Sequence, residues 1–399
     1  TQELLDQWHI KCPVRNFEKY LLQEILSLEW VSYLKSEFTV KIDEEVKRAV
    51  EEPSPQNNVQ NELADVYKPY TLPAFNYKGK PVIKRYAEAI HDGLALCMEK
   101  YDNLILFDSY TTYPTNEGTI TEGLSVKYGT ARVKNVPDCE SGIVGTAIGL
   151  ALNGYKAIVE LQFGHFMGSG FNQIVNNIAK SQYRRGQNVD VVLRIPVGIN
   201  SNGFQTDVTE AWFTKTPGLK VVYPAFPADA KGLLMAVVDD PNPVVFFEHQ
   251  HLYQNLTGEV PEGNWFTEIG KARVVKEGTW ATIITYGMGV HWALEYVTNH
   301  PQYSIEVIDL RTLQPWDKDA VEKSVAKTSR AMILHEDTLT GGFGGEIAAH
   351  IAQHCFTKLD APIMRCASLD TPVPMHKHLQ EQFLAKSKLE GLMEELLRF

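Results

Sequence analysis

The stretch that decides the fold begins with the run Ala157-Ile158-Val159-Glu160-Leu161 and ends with Val189-Asp190-Val191-Val192-Leu193. Both runs are short and rich in β-branched residues, as buried strands are. Between them, apolar residues recur at helical spacing, which predicts a helix over Phe171–Arg185. Strand, helix and strand in this order are typical of a parallel sheet covered by helices. The same rhythm extends from Pro81 to Leu252, so we predict an α/β fold.

A second α/β region follows residues 255–265, where Gly, Pro and Asn gather and where we place a domain boundary. Beyond it, apolar runs predict strands that begin at Ala281, Ile305 and Ala331. We therefore expect two α/β domains with mainly parallel sheets, at residues 71–254 and 265–399.

Residues 1–70 predict a helical N-terminal arm. From Phe17 to Leu34 apolar residues follow the helical period, and Asp43-Glu44-Glu45 is expected to open a second helix that ends before Pro53. Residues 53–62 combine two prolines with amide-rich polar residues and have no apolar period, which predicts a linker.

Composition excludes several classes of protein. The 399 residues carry 38 Lys and Arg against 49 Asp and Glu, and this net charge of -11 gives no attraction to nucleic acid. No apolar run reaches the roughly 18 residues of a membrane span, so no membrane partner is expected. The five cysteines form no CxxC pair, which favours a reducing cytoplasm over a disulfide framework or a zinc site. Because the chain begins with Thr1, we expect a fragment of a longer protein.

Two segments carry candidate site residues. Glu140 precedes a helix with glycines at close spacing, although a carboxylate there is often only a dipole partner or cap. The sequence from Glu160 to Phe166 ends a strand with polar and aromatic residues, and ligands bind at strand ends of parallel sheets. Gly168-Ser169-Gly170 is expected to break the chain before the next helix. Gly341–Gly345 could cradle a phosphate, but a tight turn is the favoured interpretation.

These segments resemble a known family. Cys139-Glu140-Ser141-Gly142 and Glu160-Leu161-Gln162-Phe163 are similar to the pyrimidine-binding domain of β subunits of thiamine-diphosphate-dependent 2-oxo acid dehydrogenases, of the branched-chain or pyruvate type. His335-Glu336-Asp337 and Leu369-Asp370-Thr371-Pro372 resemble the transketolase-type C-terminal domain of that family. The resemblance covers about residues 80–399. Residues 13–21 and 62–67 resemble the tail of the family's α subunit, which suggests a fusion of α and β portions.

The resemblance implies a function and a site. Glu140 would hydrogen-bond the pyrimidine of thiamine diphosphate, and Gln162 and Phe166 would complete its pocket. The enzyme would decarboxylate a 2-oxo acid oxidatively and pass the acyl group to a lipoyl group. Implied partners are the α portion, which would hold Mg²⁺ because this chain has no Gly-Asp-Gly, a lipoyl acyltransferase core and a second copy of this chain. The resemblance also implies K⁺ near Asp240 and Asn242, with a plain turn as the alternative.

Departures from the family pattern leave alternatives open. Gln205 stands in the place of the family's active-centre His, and an amide cannot exchange a proton near neutrality. His165 stands where the family usually has Asp, and we hypothesise that it replaces the lost imidazole. A non-catalytic paralogue that acts in assembly or regulation is the alternative, and a transketolase-type enzyme is a third possibility. Cys139 is expected to be a small buried hydrophobe.

Overall fold

The computed structural model describes residues 1–54, 56, 58–73, 75, 77, 79–108, 120–198 and 207–399. The chain divides into two units, Thr1–Val59 and Gln60–Phe399. The first unit is helical, with α1 (Gln2–Ile10), α2 (Pro13–Glu24) and α3 (Leu28–Glu51). A short helix, α4 (Val59–Ala64), begins inside the segment that was predicted to be a linker.

The helical arm is therefore confirmed, but its second helix does not open at Asp43. Helix α3 begins fifteen residues earlier, at Leu28, because the Ser27 side chain caps its first turn by accepting a hydrogen bond from the Trp30 N–H at 3.2 Å. No Gly or Pro interrupts the residues from Leu28 to Glu51, so the acidic triplet lies within one continuous helix.

The second unit contains strands and helices in alternation. Its strands are β1 (Pro81–Arg85), β2 (Leu104–Asp108), β3 (Val133–Asn135), β4 (Lys156–Glu160), β5 (Val191–Val197), β6 (Lys220–Val222), β7 (Val244–His249), β8 (Thr257–Pro261), β9 (Arg273–Lys276), β10 (Ala281–Thr285), β11 (Ile305–Asp309), β12 (Thr312–Gln314), β13 (Ala331–Thr338) and β14 (Met364–Ser368). Its helices are α5 (Tyr86–Lys100), α6 (Leu124–Tyr128), α7 (Glu140–Leu152), α8 (Met167–Asn172), α9 (Ser181–Arg185), α10 (Ala211–Thr214), α11 (Pro227–Asp239), α12 (Gln250–Asn255), α13 (Met288–Asn299), α14 (Lys318–Thr328), α15 (Gly344–His354), α16 (Lys377–Phe383) and α17 (Lys386–Leu396).

The described part of this unit contains two large sheets and a two-stranded sheet of β1 and β8. Within the described residues, the first sheet has the order β12-β6-β7-β5-β4-β2-β3, and its strands are parallel except for the edge strand β12. The second has the order β14-β13-β10-β11-β9, with β9 antiparallel. The predicted α/β fold with mainly parallel sheets is confirmed. The central strands β5 and β7 are buried along their whole length, and β4 is buried from Ala157 onward, because helices cover both faces.

Strand pairing crosses the predicted boundary at residues 255–265, and the boundary itself stays a prediction. Strand β8 lies inside that segment and pairs antiparallel with β1, far earlier in the chain. Strand β12, from the predicted second domain, pairs with β6 and completes the edge of the first sheet. The tertiary structure thus interleaves the two halves at their junction.

The helix predicted over Phe171–Arg185 begins earlier than expected. Helix α8 starts at Met167 and includes Gly168-Ser169-Gly170, which were expected to break the chain. One π-helical stretch, Gln173–Ile178, follows it, and α9 completes the segment. Ser169 therefore lies on a helix that faces the start of α7, where a β-carbon added to Gly170 would lie 3.6 Å from Glu140 Cβ.

Candidate functional site

Glu140 opens α7, and a side chain that the sequence did not single out as a site residue holds its carboxylate. Glu140 is half-buried in the first turn, where the helix dipole favours a negative charge. The Ser169 hydroxyl lies 2.6 Å from Glu140 Oε2 and 3.0 Å from the main-chain oxygen of Phe166. Because a hydroxyl carries one hydrogen, Ser169 donates to the nearer oxygen, Glu140 Oε2. Ser169 thus ties Glu140 to the turn that carries Phe166.

An aromatic cluster of Phe163, His165 and Phe166 follows directly after β4. The ring centroids of His165 and Phe166 are 4.4 Å apart, and Phe163 meets Phe166 edge to face at 5.5 Å. A β-carbon on Gly164 would lie 2.8 Å from Val197 Cγ1, so only glycine allows the turn to approach β5 this closely. The cluster therefore lies at the carboxyl edge of the first sheet, where parallel sheets bind ligands.

Gln162 lies half-buried in the same connection, two residues beyond the end of β4. Its segment leads straight into the turn of Phe166, and Ser169 links that turn to Glu140. The structure thus brings Glu140, Gln162 and Phe166 to one region at the carboxyl end of β4. The chemistry available there is a carboxylate, an amide and an aromatic face.

His165 lies close to Asp207, the first described residue after residues 199–206. Burial raises the pKa of Asp207, and the electrostatic interaction with His165 opposes this rise. The Gly164 turn approaches the same place, because a β-carbon on Gly164 would lie 2.9 Å from the Asp207 main-chain oxygen. The turn that carries His165 therefore lies close to Asp207. Gln205 itself lies outside the described residues.

Asp240 and Asn242, the predicted cation ligands, form a tightly bonded buried turn. Both the N–H and the Nδ2 of Asn242 donate to Asp240 Oδ1, at 2.9 and 2.8 Å, and Lys220 Nζ pairs with Asp240 Oδ2. Asn242 Oδ1 accepts from the Lys68 N–H at 2.7 Å. Protein donors thus engage both carboxylate oxygens, which favours the plain turn, and a monovalent cation here stays a prediction.

Cys139 is exposed, so the expectation of a small buried hydrophobe is wrong. It immediately precedes the first turn of α7, and a β-carbon added to Gly142 would meet its Sγ at 3.1 Å. The thiol therefore packs beside the start of the helix, outside the core that the following apolar residues form.

A buried charge cluster, which was not predicted from the sequence, lies at the carboxyl ends of the central strands. The Arg194 guanidinium, fully buried in β5, donates to both carboxylate oxygens of Glu248, at 2.6 and 2.8 Å, and to Glu160 Oε2 at 2.8 Å. Burial raises the pKa of Glu160 to about 7, against the opposing charge of Arg194. Charged residues inside apolar strand runs were the available signal, because such residues are seldom buried unless paired.

A second buried pair, His249 and Glu336, joins β7 of the first sheet to β13 of the second. His249 Nδ1 accepts from the His251 N–H at 3.2 Å, so Nε2 carries the hydrogen and donates to Glu336 Oε2 at 2.7 Å. A β-carbon on Gly198, whose φ is +96°, would lie 2.1 Å from that Nε2. The pair therefore touches the last described residue before the segment of Gln205.

Comparison with known proteins gives the class of these two domains. Residues 84–255 match the transketolase pyrimidine binding domain, and residues 270–388 match the transketolase C-terminal domain. A solved structure of a split-gene transketolase, an inactive β4 tetramer, superposes with a TM-score of 0.63 over 80% of this chain and 99% of its own, at 18% identity. That similarity shows the fold.

Closer relatives give the family. The chain is 42% identical to the β subunit of mitochondrial 2-oxoisovalerate dehydrogenase of Dictyostelium discoideum, over 72% of this chain and 80% of the relative. It is 38% identical to the corresponding subunit of Bacillus subtilis, over 79% and 99%. It is also 38% identical to the pyruvate dehydrogenase E1 component β subunit of Staphylococcus epidermidis, over 72% and 90%. The chain belongs to the β-subunit family of 2-oxo acid dehydrogenases.

Among the described residues, no helix is long and apolar enough to cross a membrane. The relatives named above include a mitochondrial and two bacterial subunits, so a cytoplasmic location stays a prediction.

Proposed function

We propose that this chain is the β portion of a thiamine-diphosphate-dependent 2-oxo acid dehydrogenase, which decarboxylates a branched-chain 2-oxo acid or pyruvate and transfers the acyl group to a lipoyl group. One observation carries the proposal: the half-buried Glu140 carboxylate, bonded to Ser169, lies beside the aromatic turn of Phe166 at the carboxyl edge of a parallel sheet. Relatives whose names carry these two activities support it over a transketolase-type enzyme.

The residues present fit the pyrimidine half of thiamine diphosphate. When bound, this cofactor supplies the electron sink into which a 2-oxo acid loses carbon dioxide. Glu140 would hydrogen-bond a ring nitrogen, Gln162 would offer an amide to the polar edge, and Phe166 would pack against the ring face. Ser169 would hold Glu140 in one orientation, since a carboxylate that accepts a short hydrogen bond has fewer rotamers open to it.

The remaining parts of the active unit would come from partners. The α portion would hold Mg²⁺ and the diphosphate, because no Gly-Asp-Gly occurs in this sequence. A second copy of this chain and a lipoyl acyltransferase core would complete the assembly. K⁺ at Asp240 and Asn242 is not needed by this proposal.

The test is dye-coupled oxidation of 2-oxo acids by the chain assembled with its α portion, thiamine diphosphate and Mg²⁺. Glu140→Gln keeps the size of the side chain and removes its charge, and we expect turnover to disappear. Glu295→Gln makes the same change on an exposed helix face and should leave turnover intact. Turnover of sugar phosphates in place of 2-oxo acids would instead indicate a transketolase-type enzyme.

A non-catalytic role in assembly is the second candidate, and Gln205 in place of the family's His favours it. If the assembled protein is inactive while Gln205→His restores turnover, the paralogue is the correct interpretation. If the assembled protein is active, His165→Ala tests whether this imidazole, close to Asp207, has taken over proton exchange. Unchanged turnover in His165→Ala would exclude that role.

A further inference from the structure

Away from the site described above, two helices bring one glutamate and two histidines together. Glu322 lies in α14, and His350 and His354 lie one turn apart in α15. His350 Nε2 is 2.8 Å from Glu322 Oε1, and the two imidazole centroids are 4.2 Å apart. One ligand atom from each residue lies within 4.8 Å of the other two. No other trio of His, Cys, Asp or Glu in the described part of the chain meets this condition.

The hydrogen bonds around the trio leave suitable lone pairs. His354 Nδ1 lies 3.0 Å from the main-chain oxygen of His350, which can only accept, so Nδ1 carries the hydrogen and Nε2 keeps its lone pair. Metal-binding histidines are commonly oriented by this kind of bond from the other ring nitrogen. His350 Nε2–H donates to Glu322 Oε1 at 2.8 Å, and a metal ion can take the place of that hydrogen when it is released as a proton.

We propose that Glu322, His350 and His354 bind a divalent transition-metal ion that links α14 to α15. Two imidazoles and one carboxylate favour Zn²⁺, Co²⁺ or Ni²⁺ over Mg²⁺ or Ca²⁺, which prefer oxygen ligands. Tetrahedral bonds of about 2.0–2.1 Å place ligand atoms roughly 3.3 Å apart. Since the ligand atoms already lie within 4.8 Å, the side chains close by at most roughly 1.5 Å. The fourth position is left to water.

Trp316 provides a local reporter for such binding. Its ring meets His350 edge to face, with centroids 4.9 Å apart. A paramagnetic ion at the trio would quench this indole, so Co²⁺ or Cu²⁺ should reduce part of the tryptophan fluorescence. Trp316→Phe should remove the quenched component, because Trp316 is the indole that contacts His350 of the trio.

The test is calorimetric titration of the full chain with Zn²⁺, in a Cys139→Ser background because the exposed thiol could bind zinc itself. We expect one equivalent to bind, and His354→Ala or Glu322→Gln to weaken binding by about tenfold or more. His378→Ala is the matched control, because His378 pairs with Glu381 at 3.3 Å but lacks a third ligand. Zn²⁺ should also raise the midpoint of thermal unfolding, and His354→Ala should abolish that rise.

Three results would overturn the proposal. The first is the absence of saturable Zn²⁺ binding. The second is equal affinity in the parent chain and in both His354→Ala and Glu322→Gln, which would place the ion elsewhere. The third is an intense thiolate-to-cobalt absorption band with Co²⁺, which would assign the ion to a cysteine. His354 is exposed and bonds only within its own helix among the described contacts, so its variant should fold.

Discussion

The Ser169 hydroxyl donates to Glu140 Oε2 at 2.6 Å and joins the start of α7 to α8. Hydrogen bonds to charged groups contribute about 1.5–3 kcal/mol, so this bond can fix the direction of the carboxylate. We infer that Ser169 is a positioning residue, which acts on the reaction through Glu140.

Ser169→Ala should therefore lower kcat of the assembled enzyme by about tenfold, with KM for the 2-oxo acid unchanged, because the hydroxyl is engaged with Glu140 and acts on the reaction through it. Steady-state dye-coupled kinetics measure both constants. Ser169→Thr retains a hydroxyl and should recover most of kcat. Ser387→Ala, which removes an exposed hydroxyl bonded to main-chain oxygens, is the control. An unchanged kcat in Ser169→Ala would contradict the role.

Arg194 compensates two buried carboxylates, and its loss should be costly. Arg194→Met would leave Glu160 and Glu248 without their cation, and we expect the free energy of unfolding to fall by about 3–5 kcal/mol. Urea denaturation followed by circular dichroism measures the change. Adding Glu248→Gln to Arg194→Met should recover part of the loss. Arg398→Met, at an exposed site, should change nothing measurable. A double variant no more stable than Arg194→Met would argue against uncompensated charge as the cause.

The hydrogen bond between His249 and Glu336 predicts different losses of stability for two substitutions of Glu336. Glu336→Ala removes Oε2, the acceptor of the buried His249 Nε2–H. The loss of this acceptor should lower the free energy of unfolding by about 1–3 kcal/mol. Glu336→Gln keeps an acceptor oxygen and should cost less. Differential scanning fluorimetry compares the two, with Glu394→Ala on an exposed helix face as the control. Equal losses in both Glu336 variants would show that packing, and not the hydrogen bond, dominates.

Asp309 predicts a pH dependence of stability. Burial raises its pKa to about 7, nearby Asp229 adds to the rise, and Arg311 and Arg273 oppose it. The unfolded carboxyl titrates near pH 3.9. Between about pH 4 and pH 7 the folded chain therefore holds a proton that the unfolded chain has lost, so this contribution to stability is full below pH 4 and is lost as pH rises through 7.

Asp309→Asn should remove that loss, because an amide does not titrate in this range. The difference in thermal midpoint, variant minus parent, should increase from pH 5 to pH 8, because only the parent loses stability as Asp309, with its raised pKa, ionises. Asp319→Asn, at an exposed position, is the control. A difference between variant and parent that does not vary with pH would mean that Asp309 is not the titrating group.

Much of the fold could be predicted from the sequence, because strand and helix periods are local. The runs at Ala157 and Ala281 became β4 and β10 within one residue of their predicted starts. Local signals do not show which distant segments pair. The boundary segment at residues 255–265 contains β8, whose partner β1 lies far earlier in the chain, with Pro81 opposite Pro261 and Arg85 opposite Thr257. Helix α3 begins at Leu28 and not at the predicted Asp43, because the cap at Ser27 determines where the helix starts.

The candidate site shows the same division. Motif resemblance predicted Glu140, Gln162 and Phe166 as site residues. In the structure they lie at one end of β4. Ser169 could not be predicted, since its distance from Glu140 depends on how α8 packs against α7.

By itself the sequence determined the class of fold and the chemical types available for a site, because periodicity and motif spacing are properties of neighbouring residues. Only the tertiary structure decided which charges pair in the interior, as Arg194 does with Glu248 and His249 with Glu336. It also decided that Glu322 and His350 meet between two helices. A buried polar group must find its partner wherever the fold brings one, and that choice depends on long-range packing.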